Sequence, residues 1–253
     1  MPPVVEMKNI VKRFGSIVAV DNVNINLRKG EILAIVGDNA AGKSTLLKCL
    51  AGIYRPDSGE IYVNGKKVEF SSPLDARKLG IELVPQDFAL VPCRDVVSNL
   101  FMGREITTKV LGFIPLLDVK KMKKMAEEHL LRLNIKIKST QTVGTASGGQ
   151  QQAVSIARAL FFRPRILLLD EPSASLSIVA IERLLRLMKE LKKQGTSQIF
   201  ITHRLRDVME VADRIYVMRR GKIIAERLAS ETNIEELTRL MLGEKEEVVE
   251  VFE

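Results

Sequence analysis

Ile32-Leu33-Ala34-Ile35-Val36-Gly37-Asp38-Asn39-Ala40-Ala41-Gly42-Lys43-Ser44-Thr45 decides how the rest of the chain is read. Five apolar residues form a candidate buried strand, and Gly37 to Ser44 match the pattern G-x-x-x-x-G-K-[ST]. Ser44 to Leu50 then reads as a helix that closes near Gly52. Strand, glycine-rich loop and helix are the setting in which this pattern cradles phosphate. The glycines permit a tight turn, successive backbone N–H groups point inward, and the helix N-terminus adds positive potential. Gly37, Asp38, Asn39, Ala40, Ala41 and Gly42 are therefore expected to bind a nucleotide. Lys43 is expected to reach the β- and γ-phosphates, Ser44 to offer its hydroxyl to Mg²⁺, and Thr45 to hydrogen-bond the α-phosphate.

Outward from this loop, Val4 to Val11 and Val23 to Leu27 read as strands. Glu60 to Val63 and Val68 to Phe70 flank Asn64-Gly65, a hairpin-turn dipeptide. Downstream, Ile166 to Leu169, Gln198 to Thr202 and Arg214 to Met218 are strand candidates. They alternate with helical patterns at Ile181 to Lys193 and Leu205 to Ala212, which argues for a parallel sheet. Asp118 to Leu133 reads as an amphipathic helix capped by Asp118, with Met122, Met125, Ala126, Leu130 and Leu133 on its core face and His129 on its polar side.

Two further signals carry chemistry. Ile166-Leu167-Leu168-Leu169 runs into Asp170-Glu171, which places two carboxylates at the C-terminal edge of a buried strand, where ligands of open α/β sheets gather. Asp170 is expected to hold Mg²⁺ or its water, and Glu171 to polarise an attacking water. Ser147-Gly148-Gly149-Gln150 opens a helix, and Ser147 and Gln150 have the spacing of a capping box. The free N–H groups and the dipole at that end make a second anion site. It needs either a second phosphate or one nucleotide shared between two chains.

The 253 residues, 46% hydrophobic and 28% charged, suit a folded domain and exclude disorder. No apolar stretch has the length of a membrane-spanning helix, and Met-Pro-Pro-Val-Val-Glu lacks the regions of a signal peptide, so a cytoplasmic location is expected. Cys49 and Cys93 read as two reduced thiols. The net charge of +8 is uneven: residues 230–253 carry two basic and eight acidic side chains, net −6, which leaves +14 on residues 1–229. A basic body suits nucleotide phosphates, an anionic membrane surface or nucleic acid, and charge alone does not choose among them.

The phosphate loop, Gln86 after Val84-Pro85, Ser147-Gly148-Gly149-Gln150, Asp170-Glu171 and His203 after Thr202 stand in the order and approximate spacing of ATP-binding cassette (ABC) ATPases. The resemblance covers nearly the whole chain. It implies an α/β fold: a P-loop NTPase, RecA-like core with an antiparallel β subdomain and an inserted α-helical subdomain. Residues 1–86 and 163–229 would form the core with its β subdomain, 87–162 the helical subdomain, and 230–253 an acidic C-terminal tail. The resemblance further implies that Phe14 stacks on adenine, that Gln86 senses Mg²⁺ and the attacking water, and that His203 contacts the γ-phosphate. Two cassettes would dimerise head to tail, each ATP lying between the phosphate loop of one and Ser147, Gly148, Gly149 and Gln150 of the other. Two positions depart from the family pattern. Ala146 stands where Leu usually precedes the serine, and Ser177 stands where an Asp usually helps couple the two sites.

Gly42 to Leu46, Ala51 to Tyr54, Leu79 to Ile81 and Asn99 to Glu105 are similar to the ATPases of bacterial importers for ribose, galactose, xylose and related monosaccharides. The resemblance implies an ATPase subunit at the cytoplasmic face of the cell membrane that docks on separate permease subunits. A substrate-binding protein would take part indirectly, and nucleic acid would not. Importers of this type usually fuse two cassettes, so this chain is expected to act as a homodimer or beside a second cassette. The alternative is a non-transport ABC ATPase or a nucleotide-dependent regulatory module. A chromosome-type ATPase is disfavoured, because no sustained heptads occur between Lys43 and Ser147. The permease groove is expected along Asp87 to Arg104, which carries Phe88, Leu90, Val91, Val96, Val97, Leu100, Phe101 and Met102.

Overall fold

The computed structural model describes residues 2–110, 113–174 and 176–243. Four strands, β1 (Val5–Phe14), β2 (Ile17–Leu27), β4 (Ser58–Val63) and β5 (Lys66–Val68), form an antiparallel sheet in the order β2-β1-β4-β5. The second sheet holds β3 (Ile32–Val36), β6 (Ile81–Val84), β9 (Ile166–Asp170), β10 (Ser197–Ile201), β11 (Arg214–Arg219) and β12 (Lys222–Leu228). Its order is β12-β11-β3-β10-β9-β6, parallel except where β12 returns antiparallel to β11. Every residue of β3, β9 and β10 is buried, as expected of strands covered on both faces.

The period of two along β3 divides the molecule. Leu33 and Ile35 face a core shared with β1, β2, β4 and α1 (Lys43–Leu50). Ile32, Ala34 and Val36 face a second core, closed by α6 (Ile178–Lys193) and α7 (Leu205–Val211), with Leu237 of α8 (Ile234–Leu242) at its margin. A third cluster lies among α3 (Val96–Phe101), α4 (Val119–Arg132) and α5 (Gly148–Phe161). Helix α5 belongs to two of these cores: Ile156, Ala159 and Leu160 pack on the sheet, while Val154 and Ala157 pack on α3 and α4. The remaining elements are α2 (Pro73–Lys78) and a hairpin of β7 (Thr107–Val110) and β8 (Ile114–Leu117).

Most of the strand and helix expectations stand, with local differences. The strand expected at Val23–Leu27 begins at Ile17, because its first residues are exposed and carry no alternating signal. At the Asn64-Gly65 turn both residues take positive φ, 50° and 75°, but the returning strand is Lys66–Val68 and Phe70 packs beyond the ladder. Asp118 caps α4 by accepting from Lys121 N. His129 is not on the solvated side: it is buried, with Nε2 2.8 Å from Ala157 O. Position 129 lies seven residues after Met122 and three after Ala126, hence on the same helical stripe. Burial lowers its imidazole pKa. Both cysteines are free; Cys49 is buried and its thiol is pushed up to about 12.

Candidate nucleotide site

Close backbone approach explains the two glycines that frame the phosphate loop. A Cβ on Gly37 would stand 2.0 Å from Met218 O of β11, and one on Gly42 would stand 2.1 Å from Ala19 O of β2. The loop is thus clamped between the two sheets, and both positions also have positive φ. Gly221 reinforces the clamp, donating its N–H to Ala41 O at 3.0 Å and accepting from Asp21 N at 2.8 Å. Helix α1 opens at Lys43 with no side chain capping it, so its first N–H groups face the loop. Lys43 Nζ donates to Gly37 O and Asp38 O, both at 2.7 Å. Burial lowers the Lys43 pKa, and Glu171, Asp170 and Asp38 oppose that shift.

The two carboxylates after β9 have different surroundings. Asp170 is 1% exposed and accepts from Ser44 Oγ at 2.8 Å. Burial raises its pKa, against the pull of Ser44, Lys48 and Lys43. Glu171 has left the strand with φ 48°, a conformation that costs a non-glycine residue about 1–3 kcal/mol and collects at functional turns. That turn carries its carboxylate to His203, whose Nδ1 lies 2.9 Å from Glu171 Oε2. The Glu171 side chain is 10% exposed and that of His203 59%.

A cleft of about 790 Å³ gathers Phe14, Gly37 to Thr45, Gln86, Glu171 and His203. Phe14 is partly open, at 42%, with its ring backed edge-on by Tyr54, centroids 5.2 Å apart, and Lys12 Nζ 5.6 Å from the ring centroid. Among the further lining residues that escape the sequence reading are Ile17, Val18, Arg220 and Met241. They come from β2, the β11–β12 turn and α8, and carry no local motif. Asp170 borders an adjoining hollow of about 680 Å³ with Lys48, Gln86 and Arg158, so Gln86 stands between the two spaces.

Ser147, Gly148, Gly149 and Gln150 do not line this cleft. They open α5, where the capping box is present: Ser147 Oγ accepts from Gln150 N at 3.3 Å and Gln150 Oε1 accepts from Ser147 N at 3.0 Å. Ala146 is buried at the foot of this cap. Ser177, where the resemblance implies Asp, caps α6 by accepting from Ala180 N at 3.4 Å.

Helix α5 also grips the loop that follows Gln86. Phe88 and Ala89 take positive φ, 61° and 46°. Ser155 Oγ donates to Phe88 O at 2.9 Å, and Arg158 donates to Phe88 O at 3.2 Å and Ala89 O at 2.5 Å. Buried Asn99 of α3 accepts from Val91 N at 2.8 Å and donates to Val91 O at 3.1 Å. Sequence reading missed these three grips; their signal is a polar residue on the buried face of an apolar helix. Of the eight apolar residues expected to line a permease groove, Val96, Val97, Leu100 and Phe101 are buried in the third cluster, because α3 turns them onto α4 and α5. Phe88, Leu90 and Val91 are half-buried, and Met102 is exposed at 38%.

A model of the ABC transporter family matches residues 20–174. The chain is 45% identical to the xylose/arabinose import ATP-binding protein XylG of Sulfolobus acidocaldarius over 242 residues, 95% of this chain and 94% of that one. It is 40% identical over 96% of its length to the ribose import ATP-binding protein RbsA of Caldanaerobacter subterraneus subsp. tengcongensis, of which it spans 48%. The chain likewise spans about half the length of further ribose and galactose import relatives that it matches. Among solved structures, a dimeric ATP-binding cassette in a post-hydrolysis state bound to ADP and Pi is similar with a TM-score of 0.77 at 28% identity, covering 89% of this chain and 98% of that one. The chain belongs to the ABC transporter family as its ATP-binding, ATP-hydrolysing cassette.

Proposed function

We propose that the chain powers sugar import, hydrolysing Mg²⁺-bound ATP in the cleft beneath Phe14. The observation that carries the site is the gathering of Lys43, Ser44, Glu171 and His203 in one cleft, with Asp170 bonded to Ser44 behind it and Glu171 to His203. Lys43 and the backbone N–H groups of residues 38–42 bind the phosphates, and Thr45 bonds the α-phosphate. Phe14 stacks on the base. Ser44 hydroxyl, Asp170 carboxylate and Gln86 amide oxygen are the hard oxygen donors that Mg²⁺ takes, few enough to leave positions for phosphate and water. When bound, the ion neutralises charge that develops on the phosphates. Glu171 accepts the proton of the attacking water, Gln86 orients that water, and His203 holds Glu171 through Nδ1 while its other nitrogen faces the γ-phosphate.

The cap at Ser147 to Gln150 lies outside its own cleft, which supports a shared site: these residues of one cassette close on the nucleotide of another. Residues 87–162 act as the helical arm on the core of 1–86 and 163–229; of the acidic tail 230–253, residues 244–253 lie outside the described residues. Among the described residues no helix is long and apolar enough to cross a membrane. On this reading, which the import ATP-binding relatives support, a permease carries the solute, fed by a separate substrate-binding protein, with the cassette peripheral at the cytoplasmic face. Monosaccharides are the favoured cargo, since the relatives named above import xylose, arabinose and ribose. The test is ATP turnover by Glu171→Gln. The proposal expects ATP binding to persist while hydrolysis falls about 10²- to 10⁴-fold; unchanged turnover contradicts it.

A further inference from the structure

Two turns of this chain share one geometry and differ in one residue. β4 and β5 are joined by Asn64-Gly65, with φ 50° and 75°; β11 and β12 are joined by Arg220-Gly221, with φ 46° and 79°. Positive φ at both residues of a two-residue hairpin loop favours Asn-Gly, because asparagine and glycine tolerate the left-handed region and a longer side chain does not. Position 64 carries the preferred residue, and position 220 carries arginine.

Nothing local accounts for that arginine. Its side chain is exposed and makes no hydrogen bond, ion pair or ring contact among the described residues. The neighbouring Arg219 is different: its guanidinium lies against Gly243, where α8 ends. The turn itself is fixed to the phosphate loop, since Gly221 donates to Ala41 O at 3.0 Å, and it brings Arg220 into the lining of the nucleotide cleft. There its charge matters. The other fixed charges of the lining are Lys43, Asp38 and Glu171, so without Arg220, and with His203 neutral, the walls that receive a polyanion would be net negative.

The geometry points to Arg220 as a contact for the phosphates of the bound nucleotide, reaching them from the turn that braces the phosphate loop while Phe14 takes the base. A guanidinium presents paired donors that match phosphate oxygens. This contact presupposes the nucleotide reading of the cleft and adds to it an anchor outside the phosphate-loop motif.

Titration of Arg220→Asn with ATP tests it, because the turn favours the substituted residue. Affinity is expected to fall about three- to tenfold, and to lose less than the parent chain does when salt rises from about 0.05 to 0.5 M. GTP should lose affinity by the same factor, since its phosphates are the same, and the melting temperature should hold or rise. Unchanged ATP affinity overturns the proposal. So does a loss confined to ATP, which assigns the guanidinium to the base, or a loss with a lower melting temperature, which assigns it to the stability of the turn. Lys43→Ala in the same titration separates this proposal from the site on which it rests. If Lys43→Ala loses binding and Arg220→Asn does not, Arg220 alone is misassigned; if neither loses it, the reading of the cleft fails as well.

Discussion

Lys43 and Asp170 are each buried against their own charge, and function retains them there. Lys43→Ala removes a charge-assisted phosphate contact of about 1.5–3 kcal/mol, so ATP affinity should fall at least about tenfold. Titration with a fluorescent ATP analogue reads this directly; unchanged affinity contradicts the phosphate-loop roles. Asp170→Asn keeps an oxygen for Ser44 to donate to and removes a carboxylate that burial disfavours. The fold should melt a few degrees higher while ATPase is lost, and a lower melting temperature contradicts the strain assigned to this carboxylate. His129 gives a pH signature of the opposite kind. Its folded pKa is lowered, so the stability it contributes is full above the unfolded value of about 6.5 and drains as pH falls through that value. Urea midpoints should decline from pH 7.5 to 5.5 in the parent chain and decline less in His129→Gln; parallel declines contradict this. At this scale the sequence shows Gly37, Gly42 and Lys43 because one contiguous motif holds them. Arg220 and Met241 escape it because distant elements bring them to the cleft.

Helix α5 is the element that joins the parts. One face packs on the sheet, another on α3 and α4, its first turn carries Ser147 to Gln150, and its middle holds the carbonyls of Phe88 and Ala89 through Ser155 and Arg158. These bonds tie the position of α5 to that of the loop after Gln86. Arg158→Met keeps much of the packing and frees those carbonyls. We expect kcat to fall several-fold or more with ATP affinity little changed, because Lys43 and Phe14 are untouched; equal loss in both quantities contradicts a positioning role. The sheet strands are legible as apolar runs because both faces are covered, and α4 as a stripe because one face is. The β7–β8 hairpin is not legible, since its Thr-Thr-Lys-Val and Ile-Pro-Leu-Leu strands have neither signature, and α3 is too short to establish a period.

For the molecule as a whole, the central claim is that one nucleotide is completed by two cassettes. The cleft holds Lys43, Glu171 and His203 but not Ser147 to Gln150, whose capped helix end has its dipole free for an anion from elsewhere. The local pattern at Ser147 to Gln150 points to a second anion site, and the fold puts that site outside the cleft. Light scattering coupled to size-exclusion chromatography on Glu171→Gln, with Mg²⁺ and either ATP or ADP, is the direct measurement. The account predicts a dimer in ATP that ADP does not support, because stalled hydrolysis leaves the bridging γ-phosphate in place. A monomer under both conditions, or a dimer indifferent to the nucleotide, contradicts it.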